Sequence, residues 1–246
     1  MMYAAVEKQE IARKLQAGIN AIQGLGRLSS ETAIAGLMPF ANAFPGQIFP
    51  TAAVHEFISY EATDAAATSG FITALAGKFM KTGGLCLWIG NERKIFPSAL
   101  KQFGIEPDRI IFIKVTKTKD ALWAIEEALK CEALTAVVGE IKELGFTESR
   151  RLQLAVEQSG VTGFIHRFQP LAENATACTT RWKIMPMASL SAENLPGIGQ
   201  SCWEVQLLKV RNGRPDSWQV SWSDAHFIPL DDKHIPIQTH HERKAG

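Results

Sequence analysis

Residues 54–75 have the frame of a phosphate-binding loop: an apolar strand start, a polar connection and then a helix. Such a loop works because glycines let successive backbone N–H groups curl around phosphates, while a lysine reaches the outer ones and a hydroxyl holds Mg²⁺. Here the connection, read as a loop over 59–69, carries Glu61 and Asp64, no cation and no Gly-Lys-Ser/Thr. That composition repels a triphosphate. Two further acids stand where chemistry is often placed. Glu92 follows the apolar run 85–89, at the carboxyl end of an expected parallel strand, where α/β proteins put their ligands. It reads either as a general base activating water or as a solvated loop acid paired with Arg93. Glu140 closes the run 136–138 in the place of a metal-holding acid, but Gly139-Glu140 replaces the usual Asp-Ser or Asp-Asp pair.

Cations gather in two places: Arg150 and Arg151 at the start of a helix, and Lys209, Arg211 and Arg214 across a hairpin. Arginine at such positions grips phosphate or carboxylate bidentately, which suits a nucleic acid or an acidic partner; alternating cations also fit the solvent face of a strand. Trp182, Trp203, Trp218 and Trp222 share that β-rich segment, at a spacing that fits sheet packing better than base stacking. Other patterns fail for want of context. Ser98-Ala99-Leu100-Lys101 has none of the companion motifs of an SxxK enzyme, and Gly24-Leu25-Gly26 follows a helix instead of a strand. His55, His166, His226 and His234 lack paired ligand spacing. Cys86, Cys131, Cys178 and Cys202 form no CxxC pair, which argues against zinc and against a disulfide framework, and for a reducing cytoplasm. No metal and no cofactor is expected.

The elements that must position these residues follow from the apolar pattern. With 246 residues and 46% apolar content the chain suits one medium-sized α/β domain with appended ends, and 26 basic against 25 acidic residues leave no global field for nucleic acid. Ile11, Leu15, Ile19 and Ile22 stripe an amphipathic helix within residues 1–26, which Gly24 and Gly26 stop. An irregular connector spans 27–50, the core 51–230, and a polar tail, expected to be disordered, 231–246. Within the core, apolar runs at 54–58, 85–89, 110–115, 136–138 and 163–166 are too short for helices, and helices fall between them at 70–80, 98–103, 121–131 and 148–159. Pro97 suits a first helical position and Thr147 an N-cap. This alternation predicts a mostly parallel sheet flanked by helices. From 178 the pattern turns to antiparallel strands, at 178–185, 203–210, 218–222 and 226–228, with Asn212-Gly213 as a hairpin turn. Glu7, Lys8, Glu10, Arg13 and Lys14 stand where a signal peptide needs an apolar run, and no stretch reaches the ~20 apolar residues of a membrane span, so a soluble cytoplasmic protein is expected.

The order of these pieces resembles a RecA-type core, and several segments are similar to the ImuA family, a RecA/SulA-like branch. They are Val54-His55-Glu56-Phe57, Leu87-Trp88-Ile89-Gly90, residues 121–129, Ser149-Arg150-Arg151-Leu152-Gln153-Leu154-Ala155 and residues 207–215. The resemblance implies an accessory protein of the SOS response to DNA damage, acting in mutagenic translesion synthesis with ImuB and a C-family error-prone polymerase, and touching RecA. It also implies that 59–69 is an ATP loop altered beyond use and that Glu92 is the vestige of a catalytic glutamate. DNA-binding loops would fall near 145–150 and 169–180, both shortened, leaving Arg150, Arg151 and Arg181 for weak DNA contact. The stripe Ile11, Leu15, Ile19 and Ile22 would dock on another copy or a partner. The leading expectation is a non-enzymatic adaptor with a degenerate ATP site. A DNA-stimulated ATPase with an atypical phosphate loop and a SulA-like inhibitor of cell division stay open, although the β-rich end 178–222 leans against the second.

Overall fold

The computed structural model describes residues 37–91, 95–190 and 199–230. The amphipathic stripe Ile11, Leu15, Ile19 and Ile22, the acid Glu92 and the tail 231–246 lie outside these described residues. Nine strands make a single mixed sheet: β1 Val54–Ser59, β2 Leu85–Gly90, β3 Ile110–Lys114, β4 Leu134–Ile141, β5 Thr162–Phe168, β6 Thr180–Leu190, β7 Gln200–Val210, β8 Asp216–Ser223 and β9 His226–Pro229. Their order is β3-β2-β4-β5-β1-β6-β7-β8-β9. The pairings from β3 through to β6 are parallel, and those from β6 to β9 antiparallel. Every run expected as a strand is one, and the mostly parallel sheet with an antiparallel C-terminal end is as the pattern predicts.

Helix α1 (Ala62–Phe79) covers one face, together with α2 (Pro97–Leu100) and the 3₁₀ turn Lys101–Phe103 that continues it. Helices α3 (Thr118–Leu129) and α4 (Phe146–Ser159) cover the other. Because α1 is wedged between the sheet and the Leu100–Phe103 turn, it is buried nearly all round from Ala67 onward, small and apolar residues alternating with Thr68, Ser69, Thr73 and Lys78. Gly77 makes the wedge tight: a Cβ there would stand 2.2 Å from the Phe103 carbonyl oxygen. The end of the connector also enters this core. Its 3₁₀ turns Met38–Ala43 and Pro45–Gln47 bring in Phe40, which meets Phe71, Trp182, Trp218 and Phe227 edge-on or tilted at 5.1–6.0 Å. All four β-segment tryptophans therefore serve packing: Trp182, Trp203 and Trp222 are buried, and Trp218 packs against the same cluster.

Two local expectations are corrected. The supposed phosphate loop over 59–69 is mostly helix: α1 starts at Ala62 with Glu61 as its N-cap, so only Tyr60 and Glu61 join it to β1. Ala62, Ala65, Ala66 and Ala67 are the strongest of helix formers, and with no glycine to hold a loop open they propagate the helix back to the strand. In α4, Gly145 occupies the N-cap and Thr147 lies inside the first turn. Residues 145–150 are thus a helix start and not a free loop.

Candidate functional site

At the carboxyl ends of the parallel strands the β1–α1 junction sets what can bind. Two residues give too little backbone to wrap a chain of phosphates, and the side chains offered there are Glu61 and Asp64. The strand end is closed by its own hydrogen bonds. The Ser59 hydroxyl meets Thr68 Oγ1 at 2.8 Å and His166 Nε2 at 3.0 Å, all buried. Tyr60 donates to Glu173 Oε1 at 2.6 Å, and that bond, ahead of partial burial, raises the phenol above its ordinary pKa. Next to this junction a polar hollow of about 350 Å³ opens between the ends of β2, β3, β4 and β5, with Glu140, Lys117, Lys142 and His166 among its walls. Glu140 accepts the Trp88 indole N–H at 3.1 Å, and Gly90 leaves it room, since a Cβ there would come within 2.5 Å of Glu140 Oε2.

The 169–179 crossover carries the chain from the carboxyl end of β5 over β1 to the start of β6. Beneath it lies a group that composition alone does not reveal. Glu56, in the middle of β1, is fully buried and shares its carboxylate between two guanidiniums: Arg167 Nη1 at 2.7 Å from Oε1, and Arg181 Nε at 2.9 Å from Oε2. Thr176 adds a third bond at 2.8 Å. Each cation then reaches outward to the crossover backbone. Arg167 donates to Ala172 O at 3.1 Å and to Lys142 O at 3.3 Å; Arg181 donates to Asn174 O at 2.5 Å. Lys209 and Arg211 do the same from β7 and its turn, to Thr176 O at 2.7 Å and Ala177 O at 2.9 Å. Burial lowers the Lys209 pKa, and burial ahead of the Glu56 charge pushes the Cys178 thiol up to about 12. Four cations thereby collect carbonyls that a crossover without secondary structure would otherwise leave unsatisfied.

This placement divides the expected cationic surface. Arg181, Lys209 and Arg211 are engaged in holding the crossover, and contact with phosphate through the same N–H groups would have to displace backbone acceptors. Arg151 is exposed but ion-paired with Glu126 across the α3–α4 seam. Arg150 and Arg214 are exposed and have no side-chain partner among the described residues; the Arg214 backbone N–H donates to Ala43 O at 2.9 Å. His55 is neutral, its pKa lowered to about 3 by burial, and donates from Nε2 to Pro50 O at 2.9 Å while Nδ1 meets Thr180 Oγ1 at 2.8 Å. Among the described residues no three His, Cys, Asp or Glu side chains group as metal ligands, and no helix is long and apolar enough to cross a membrane.

No family model matches the chain. It is similar to Protein ImuA of Caulobacter vibrioides, in each of two strains, at 29% identity over 198 residues that make up 76% of this chain and 81% of the relative. Over a shorter stretch it is similar to the Cell division inhibitor SulA of Photorhabdus laumondii subsp. laumondii, at 25% identity over 104 residues, 42% of this chain and 59% of that protein. The resemblance to ImuA read from the sequence is therefore supported by similarity over 76% of the chain, and the SulA likeness falls on less than half of it.

Proposed function

We propose, taking the likeness to Protein ImuA as premise, that this chain is a non-enzymatic accessory protein of SOS-induced, error-prone translesion DNA synthesis. It acts as an adaptor that contacts ImuB and RecA, and through them a C-family polymerase, over a degenerate ATP site. The observation that carries the reading is the β1–α1 junction of two residues, flanked by Glu61 and Asp64 and running straight into an alanine-rich helix. The junction and the first turn of α1 carry no cation of their own, and Lys183, over the Tyr60 ring at 6.0 Å, comes from β6; a triphosphate there would face Glu61 and Asp64 at a cost that one helix N-terminus does not offset. Equilibrium titration of the pure protein with Mg-ATP tests the degenerate ATP site: no saturable binding is expected at millimolar nucleotide, and tight binding would sink the reading. Deleting the gene should lower damage-induced mutation frequency and leave growth without damage unchanged.

The SulA likeness supports a second reading, an inhibitor of cell division. It requires filamentous cells on overexpression. Normal division at high expression removes it without touching the adaptor reading.

A further inference from the structure

Strand β6 outruns its neighbour. β1 pairs with it only from His55↔Thr180 to Ile58↔Lys183, whereas β6 continues to Leu190 with β7 as its one remaining partner. Ile184 is fully buried, so residues 185–190 present an edge with no strand partner among the described residues, and such an edge is a template for another strand. Natural edges are blunted by charges, bulges or proline. From Met185 on this one reads Met-Pro-Met-Ala-Ser-Leu, without a charge, with Pro186 and with a register shift against β7 between Met187 and Leu190 as its two interruptions.

Beside the edge lies a cavity of about 800 Å³, within the range of true binding pockets. Its walls include Ala66 of α1, Phe103, Phe168 of β5, Met187 of β6 and Trp203 of β7, and Phe96, 79% exposed, stands at its rim. No Lys, Arg, Asp or Glu is among the described residues that line it. A charged group entering such a hollow would be desolvated without a counter-ion, so the cavity selects uncharged occupants. Met187 adds adaptability, because an unbranched thioether repacks around differently shaped side chains.

We propose that this edge and cavity together dock an extended, uncharged, apolar segment of a partner protein. The segment adds as a strand beside residues 185–190 and drops alternate side chains into the cavity. Main-chain bonds to the edge hold it and the cavity chooses its side chains, the division of labour of strand addition. A small molecule filling the cavity would leave the edge unpaired, and a helix could not pair with it. Pro186 supplies no N–H, so the added strand lacks one bond there, which helps to fix its register. The inference deepens the adaptor reading and rests on it for the existence of a partner.

The probe is a synthetic seven-residue peptide alternating threonine with leucine or phenylalanine, capped at both ends and fluorescently labelled, titrated with the full chain and read by anisotropy. Saturable binding is expected, weakened at least tenfold when alternate backbone amides of the peptide are N-methylated, and weakened similarly when leucine is replaced by lysine. Ala66→Trp, which fills the cavity, should also abolish binding; the peptide variants carry the test by themselves if that protein does not fold. No saturable binding, or equal binding of the N-methylated peptide, overturns the proposal. Displacement of the probe by a peptide of residues 231–246 would make the occupant the chain's own tail. A concentration-dependent dimer dispersed by the probe would make it a second copy. Either result overturns the partner assignment. The mutation-frequency measurement uses neither peptide nor cavity, so the adaptor reading and strand addition fail separately.

Discussion

Replacing Arg181 by methionine separates a structural cation from a nucleic-acid contact. The guanidinium is 11% exposed and bonds to Glu56 Oε2 and to Asn174 O, so the substitution removes one of two counter-ions from a carboxylate that is itself fully buried. Breaking a buried pair typically costs about 3–5 kcal/mol because the remaining charge is stranded. Glu56 keeps Arg167 and Thr176, which places Arg181→Met below that range, at about 2–3 kcal/mol. Arg167→Met takes away a guanidinium that is fully buried and bonds to Glu56, Lys142 O and Ala172 O, and should cost about 3–5 kcal/mol. Arg150→Ala, at an exposed site without a described partner, should stay within about 0.5 kcal/mol. Urea unfolding read by tryptophan fluorescence checks all three, with the slope against denaturant held as the control on the unfolded state. A stability for Arg181→Met within about 0.5 kcal/mol of the parent, accompanied by weaker binding to single-stranded DNA, would refute the argument and return Arg181 to the nucleic-acid surface.

Lys78 is buried at 3% exposure with no hydrogen-bond partner for Nζ among the described residues, and lies 5.7 Å from the Trp222 ring. Burial, ahead of the nearby Lys81 charge, lowers its pKa from 10.5 to about 8. Between those two values the unfolded chain binds the extra proton, so stability should rise with pH across the window, and Lys78's burden is fully present below pH 8. Lys78→Met should remove that slope and stabilise the protein at neutral pH by up to about 3 kcal/mol, read as the difference between variant and parent melts at several pH values. An identical pH profile for the two proteins would contradict the burial argument. Gly213→Ala puts a Cβ 2.2 Å from Ala43 O and 2.8 Å from Val210 Cγ2, displacing the turn that bonds Arg214 N to Ala43 O. A loss of about 1–3 kcal/mol is expected by thermal melting, and a neutral result would mean that the turn yields freely.

The central strands were legible because each is a short apolar run that the sheet buries, and even the largely exposed edge strands β3 and β9 keep such a run. The start of α1 was not, because a strand followed by a helix invites the expectation of a phosphate loop, and the alanines of 62–67 were read as connection when their propensity already pointed to helix. The Glu56 network was missed for a different reason. Alternation along β7 correctly puts Lys209 off the core, but whether its ammonium meets water or a carbonyl depends on where the 169–179 crossover lies, which no local pattern encodes. A signal did exist in the strands themselves. Glu56 and Arg167 each interrupt a run that must be buried on both faces, and a charge in such a run survives only if paired. In the parallel register Glu56 stands beside Ile165 and Ile58 beside Arg167, so the two charges share a face two residues apart, within reach of a long guanidinium. Opposite charges buried in two runs of one sheet thus predict that the runs are neighbours. Such a rule pairs β1 with β5 through Arg167, two residues further along, and β1 with β6 through Arg181, which stands directly opposite Glu56.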